Sequence, residues 1–398
     1  MAIKASREGA LLDSIQEKRL PDPVVLVLGC GVSGVVAARA AREVLPSNYR
    51  VIAIDRETQA SYSPAYIWVM TGERKPEALR RARGRLARRG VEFVNAEVRH
   101  IDLESRYVRA DSREFHYDYL VIALGAEAVH EAHSELHSLE TLDAAEHLAA
   151  ALRYFSGGRI LIATNSAGFR SPAAPYEIAM LLEDYFHARR VRQKVTLSVH
   201  TPEVSPLAVL GPQINDELRS LLAHKGIEVR TERCLAAVDG THRTATMSDG
   251  EQIPFQILVT DPERALSPML RDLGLIDESG RIPVDPATFE TARDNVFAIG
   301  DTTYVHLPDG EALPRTQTFA EKQGQTVANN IAYRAGRGPR PDPFDAKARW
   351  FIETGNGGAM VAEGDFLSPK RHFTLKQPSV IWHLANLAQE KYWLWHWY

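Results

Sequence analysis

Three glycines and an aspartate carry the first chemical reading of this chain. Gly29-Cys30-Gly31-Val32-Ser33-Gly34 follows the apolar run Val24–Leu28 and leads into the small-residue stretch Val35–Arg42. A second apolar run, Val51–Ile54, then ends in Asp55. In a G-x-G-x-x-G turn, Gly29 permits the tight bend, Gly31 lets the backbone approach a pyrophosphate, and Gly34 lets the helix pack on the strand. The helix N-terminus, with Ser33 in its first turn, offers unbonded N–H groups and roughly half a positive charge. Asp55 stands where a carboxylate binds a ribose hydroxyl pair. A Gly-rich turn in some other α/β protein is the alternative, and the full strand–turn–helix–strand context weighs against it.

The elements that must position these residues read as α/β throughout. Arg74–Arg89 is an Arg-rich helical stretch with eight basic residues, and Val91–Val98, Tyr107–Ala110 and Tyr117–Leu124 read as strands, the last ending at Gly125-Ala126. A second α/β unit starts at Arg159–Thr164, with a helix over Tyr176–His187, a strand over Val195–His200, a helix over Leu218–His224 and strands over Ile227–Thr231 and Ile253–Thr260. A later strand, Val296–Ile299, runs into Gly300-Asp301 and the helix Ala320–Arg334. Gly336–Pro343 reads as a linker, and Arg349–Asp365 as paired strands turning at Gly355–Gly358. The expected fold is two Rossmann-like dinucleotide-binding domains plus a C-terminal region ending in an amphipathic, aromatic-rich helix. The expected divisions are an extension over 1–22, a discontinuous first domain over 23–130 and 285–345, a second over 131–284, and the C-terminal region over 346–398.

Composition narrows the function classes. The chain has 398 residues, 44% hydrophobic and 25% charged, as expected of a soluble globular protein of two or three domains. A net charge of −4 makes no case for nucleic acid as a partner. Cys30 and Cys234 are the two cysteines, so neither a disulfide framework nor a cysteine metal site is expected, and no metal is. Residues 1–22 lack the apolar core of a signal peptide, and no 18-residue apolar span occurs. These features predict a cytoplasmic protein, free or peripheral on the inner membrane face.

The glycine loop, the strand ending Ala123-Leu124-Gly125-Ala126, and Phe297-Ala298-Ile299-Gly300-Asp301 occur in an order that resembles the two-dinucleotide-domain flavoproteins, which include the pyridine-nucleotide–disulfide reductases. The resemblance implies FAD as cofactor, its pyrophosphate on the first loop, its ribityl side near Gly300 and Asp301, and Gly125 beside it. Taken alone, Gly300-Asp301 also reads as a strand-to-helix turn with Asp301 as N-cap. A nicotinamide dinucleotide in the second unit would call for glycines at 165, 167 and 170. Asn165, Ala167 and Arg170 stand there, and Arg170 is too large for close helix–strand contact.

The segments Phe169-Arg170-Ser171-Pro172-Ala173-Ala174-Pro175-Tyr176-Glu177, Tyr62–Gly72 with Pro64 and Trp68, Leu313–Glu321 with Arg315 and Thr318, Trp350–Gly355 and Glu390–Trp395 narrow the likeness. They resemble sulfide:quinone oxidoreductases and the related flavocytochrome sulfide dehydrogenases. Pro64, Arg315 and Thr318 are thereby expected at the flavin, and a quinone or another small molecule is expected as electron acceptor. That chemistry uses a cysteine pair, and Ser171 and Trp350 stand at its two positions. A hydroxyl forms no persulfide and an indole replaces no thiolate, so oxidation of sulfide is not expected. Arg315, in place of lysine, keeps a cation to stabilise a reduced anionic flavin. Glu177 is a candidate general base or a helix-terminal carboxylate serving the dipole. Ser171 is a candidate catalytic group or an N-cap.

Four of the six tryptophans lie at 382, 393, 395 and 397, with Tyr392 and Tyr398 among them. Ile381, Leu384, Ala385, Ala388 and Tyr392 keep helical spacing. This helix is expected to meet a membrane interface, with Lys370, Arg371 and Lys376 near headgroups. Packing on its own domain or on a second copy, as a homodimer, is the alternative. Three functions remain open: an FAD-dependent oxidoreductase reducing a quinone with electrons from a donor other than sulfide, a flavin-binding partner or scaffold with a degenerate site, and an NAD(P)H:quinone oxidoreductase.

Overall fold

The computed structural model describes residues 22–129, 136–165, 171–308, 310–369 and 371–398. The expectations for residues 1–21, for the loop 166–170 and for Lys370 lie outside these.

The first sheet contains β1 (Val24–Leu28), β2 (Arg50–Asp55), β3 (Glu92–Asn95) and β4 (Tyr119–Ile122). The second contains β5 (Leu136–His137), β6 (Gly158–Ala163), β7 (Val195–His200), β8 (Ile227–Arg230) and β9 (Ile257–Val259). The late strand β10 (Val296–Ala298) then returns to the first sheet, whose order is β10-β4-β1-β2-β3, all parallel. The second sheet is also parallel, in the order β5-β9-β6-β7-β8. Their central strands are apolar runs buried on both faces, as a parallel sheet covered on both sides requires. The α/β class with two Rossmann-like units is thus as expected.

Helix α1 (Val32–Val44) follows β1 and crosses α2 (Gln317–Arg334) at backbone contact. A Cβ on Gly324 would lie 2.6 Å from the Ser33 carbonyl oxygen, so this crossing tolerates only glycine. Helix α1 supplies the matching small residues Gly34, Ala37 and Ala38.

A three-stranded antiparallel sheet of β11 (Lys347–Gly355), β12 (Gly358–Asp365) and β13 (Phe373–Ser379) follows the linker. The final helix, α3 (Val380–His396), packs on it. No described helix is long and apolar enough to cross a membrane.

The Arg-rich stretch departs from expectation. It is a four-residue helix Pro76–Leu79, a strand Arg80–Ala82 paired with Gln59–Ser61, and a 3-10 turn Arg83–Arg89. Three of its arginines turn to carboxylates: Arg74 to Glu390, Arg80 to Asp143 and Glu146, and Arg83 to Asp55. A spaced run of arginines therefore marks separate anchors here rather than one solvated helix face. Arg74 also lies 5.3 Å over the Trp68 ring. Glu390 is fully buried, with Arg74 Nε at 3.0 Å and Lys391 Nζ at 2.6 Å. Removing Arg74 leaves that carboxylate one exposed lysine. Arg74→Ala is expected to cost about 3 kcal/mol, the low end for breaking a buried pair; urea unfolding measures it, and a loss under about 1 kcal/mol contradicts the anchor.

Candidate active site at the dinucleotide loop

The turn after β1 is built by close contact. Gly29 has φ +90°, and a Cβ on it would sit 2.3 Å from the Ala123 carbonyl oxygen at the end of β4. A Cβ on Gly34 would sit 1.9 Å from the Gly29 carbonyl oxygen. At Gly31 a Cβ would meet nothing within 4 Å, so open space lies above the loop. Helix α1 begins there with no side-chain cap and no acidic residue in its first turn, so its first N–H groups find no side-chain acceptor. Such a terminus accepts an anion.

The other candidates converge on the same space. Gly300 has φ +68°, and a Cβ there would meet the Ser33 hydroxyl at 2.6 Å. Its N–H donates to Gln323 Oε1 at 2.7 Å, and the Gly125 N–H donates to Thr302 Oγ1 at 3.0 Å. Asp301 lies inside the 3-10 turn Gly300–Thr302 and caps no helix, so the N-cap alternative fails. A cavity of about 910 Å³ is lined by Gly29, Gly31, Ser33, Asp55, Pro64 and Gly125. Gly300, Asp301, Arg315, Thr318, Ser171 and Glu177 line it as well. Gly34 alone of the expected site residues lies beneath it, packed on Gly29. The open ground above Gly31, the uncapped helix and the long cavity at the carboxyl ends of β1 and β4 fit a dinucleotide such as FAD.

Asp55 is more occupied than its ribose-binding reading implies. Its Oδ2 accepts the Cys30 N–H at 2.6 Å, and its Oδ1 accepts the Glu57 N–H at 2.8 Å and Arg83 Nη1 at 2.7 Å. Arg83 also donates to the Glu57 carbonyl and lines the cavity. Sequence reasoning missed Arg83 because an arginine within a charged run carries no motif.

Helix α4 (Ala174–Ala188) places Glu177 in its first turn. Its N-cap is Ala173, without a side-chain hydrogen bond, so Ser171 is not the cap. Glu177 Oε1 accepts the Glu353 N–H at 2.9 Å. Burial pushes the Glu177 carboxyl up to about 8, that hydrogen bond opposes the rise, and the Glu353 charge adds to it. Glu177 is thus a first-turn helix carboxyl that also lines the cavity. Glu353, itself buried, is held by His383 Nδ1 at 2.8 Å and Asn386 Nδ2 at 2.7 Å, which ties α3 to β11.

Trp350 is 7% exposed, lines the cavity, and packs on Phe366 in a cluster with Phe319 and Phe373. Neither cysteine lines the cavity. Cys30 is buried within the loop, where burial and the Asp55 charge hold its thiol far above the usual range. Cys234 is half-buried outside it.

Residues 23–324 match the family "Pyridine nucleotide-disulphide oxidoreductase". The mitochondrial sulfide:quinone oxidoreductase of Mus musculus is 26% identical over 364 residues, 86% of this chain and 78% of that protein. The sulfide-quinone reductase of Aquifex aeolicus (strain VF5) is 23% identical over 392 residues, 93% of this chain and 90% of that protein. A type II NADH:quinone oxidoreductase of Staphylococcus aureus (strain NCTC 8325 / PS 47) is 23% identical over 334 residues, 77% of this chain and 81% of that protein. The X-ray structure of the Aquifex aeolicus sulfide:quinone oxidoreductase shares the fold, with a TM-score of 0.84 at 22% identity over 94% of this chain and 91% of that one. The dinucleotide loop and its cavity thus belong to a member of the pyridine nucleotide-disulphide oxidoreductase family, an oxidoreductase with FAD as its cofactor.

Proposed function

We propose that this chain passes two electrons through FAD to a quinone, from a donor other than sulfide. The observation that carries the reading is the cavity wall: it holds Ser171, Trp350 and Glu177, and no thiol. The quinone follows from the names of the relatives, which span sulfide:quinone and NADH:quinone oxidoreductases. FAD, when bound, supplies the two-electron carrier. Gly29, Gly31, Ser33 and Asp55 would hold its ADP half, and Pro64, Gly125, Gly300, Asp301 and Thr318 the rest. Arg315 places a cation beside the cofactor, and Glu177 accepts or returns a proton. In this reading the chain divides into an FAD unit over 23–130 and 285–345, a companion unit over 131–284, and an acceptor region over 346–398.

Anaerobic titration of the bound flavin tests this reading. Sulfide at tenfold excess is expected to leave the flavin absorbance unchanged within minutes, and quinone is expected to reoxidise dithionite-reduced flavin. Rapid bleaching by sulfide overturns the argument from the missing thiols. Rapid bleaching by NADH transfers the chain to the NAD(P)H:quinone reading. A flavin that quinone fails to reoxidise leaves the scaffold reading.

The exposed apolar side chains of helix α3 support peripheral contact with a membrane, on its inner face in this reading. Val380, Ile381, Leu384, Tyr392 and Trp395 are exposed, whereas Trp393, Trp397 and Tyr398 are buried against the protein. The aromatic segment therefore divides between the two readings given to it. Lys376 is engaged by Glu363 and lies 4.9 Å over the Trp382 ring. Each large apolar side chain contributes about 1.5–3 kcal/mol on leaving water. The double variant Leu384→Glu, Trp395→Glu is expected to lose cosedimentation with lipid vesicles by at least about 100-fold; unchanged sedimentation removes the membrane role of α3.

A further inference from the structure

The backbone of Cys30, between Gly29 and Gly31, is held at both of its peptide groups. Its N–H donates to Asp55 Oδ2 at 2.6 Å, and its carbonyl accepts the Tyr398 hydroxyl at 3.4 Å. On the other side of Asp55, Arg83 Nη1 donates to its Oδ1 at 2.7 Å. Arg83, Asp55, Cys30 and Tyr398 thus form a chain of hydrogen bonds through the loop. Tyr398 is 6% exposed, and its ring lies 5.7 Å from that of Trp393, which lies 5.3 Å from that of Tyr62 in the cavity wall. The contact joins residues 368 positions apart, and nothing in the glycine motif calls for it.

We propose that Tyr398 is a positioning residue for cofactor retention, a latch by which the seating of α3 sets the loop's grip on the ADP half of FAD. The inference rests on the placement of FAD in this cavity and goes beyond it. A G-x-G-x-x-G loop holds its ligand through backbone groups, so its affinity depends on the orientation of its peptide planes. Asp55 fixes the Gly29–Cys30 plane through its N–H. Tyr398 fixes the adjoining Cys30–Gly31 plane through its carbonyl. With Tyr398 displaced, the loop's central peptide is free to rotate, and ligand binding must order it again. By reciprocity, cofactor binding steadies the end of α3 by the same factor.

The test uses Tyr398→Phe, which keeps the ring and removes the hydroxyl, in the full-length holoprotein. Equilibrium FAD affinity is read from the recovery of flavin fluorescence on release, and ADP affinity from competition against FAD. Both are expected to weaken about 3- to 10-fold, the value of one ordinary hydrogen bond, with Tyr398→Ala weaker still. Thermal unfolding of the apoprotein is followed in parallel. A lower apoprotein Tm with unchanged FAD and ADP affinity makes Tyr398 a structural prop and overturns the latch. Weakened FAD with unchanged ADP affinity overturns it too, because the contact lies at the ADP half. Wild-type protein that binds neither FAD nor ADP overturns the placement of the cofactor itself, an outcome distinct from both.

Discussion

Gly34→Ala is expected to yield protein that neither holds flavin nor keeps its stability. The added methyl would lie 1.9 Å from the Gly29 carbonyl oxygen and 3.2 Å from the Ala123 Cβ. Gly29 in turn is pressed on the Ala123 carbonyl, so the loop has no direction in which to yield. Backbone shifts forced by overpacking cost about 1–3 kcal/mol, and here they fall on a helix start and a strand end together. A loss of about 3 kcal/mol by urea unfolding is expected, with the flavin absorbance bands gone from the purified protein. Gly31→Ala separates the two effects. Gly31 has φ −68° and ψ −169°, open to any L-residue, and its Cβ would meet no protein atom within 4 Å. Stability is expected to hold within about 0.5 kcal/mol, whereas the methyl occupies the ground over which the pyrophosphate approaches. Normal FAD affinity in Gly31→Ala would place the cofactor's phosphates elsewhere.

Glu177→Gln is expected to lower turnover by about 10²- to 10⁴-fold, the usual worth of a positioned acid–base group, and to flatten the pH profile. Burial holds the wild-type carboxyl at about 8, so the base form grows in only as pH rises through that value. Turnover that depends on the base form therefore rises toward pH 8 and levels above it in wild type, and Gln abolishes the step. Stability moves the other way. The native state keeps a proton that the unfolded chain sheds near the ordinary value of 4.5. The contribution of Glu177 is thus full below about 4.5 and declines as pH rises to about 8. A Gln variant with an unaltered pH profile would reduce Glu177 to its helix-terminal role.

The glycine loop, Gly125 and the Gly300-Asp301 turn were legible because each answers a backbone demand that few other residues meet. The left-handed φ of Gly29, Gly125 and Gly300 leaves a sequence signature. The parallel strands were legible as apolar runs, although the stretch 91–98 breaks into two strands in different sheets. The side-chain anchors were not legible. Arg83 on Asp55, His383 and Asn386 on Glu353, and Tyr398 on Cys30 join residues from 28 to 368 positions apart. No local spacing encodes such pairings. Ser171 read as a cap because Ser-Pro opens many helices, but the chain makes a turn before the helix begins at Ala174.

The sheet order has a consequence for biosynthesis. Strand β4 pairs on one side with β1 and on the other with β10, which is translated only after the whole second sheet. Until the ribosome has passed Ala298, the nascent first sheet presents β4 as a bare edge of Tyr119, Leu120, Val121 and Ile122. Such an edge invites pairing with other chains, and closing it late is slow because the contacts are distant in sequence. Chaperone demand should therefore peak while the second unit emerges, and messages truncated between the two strands should yield aggregates rather than a soluble half-protein.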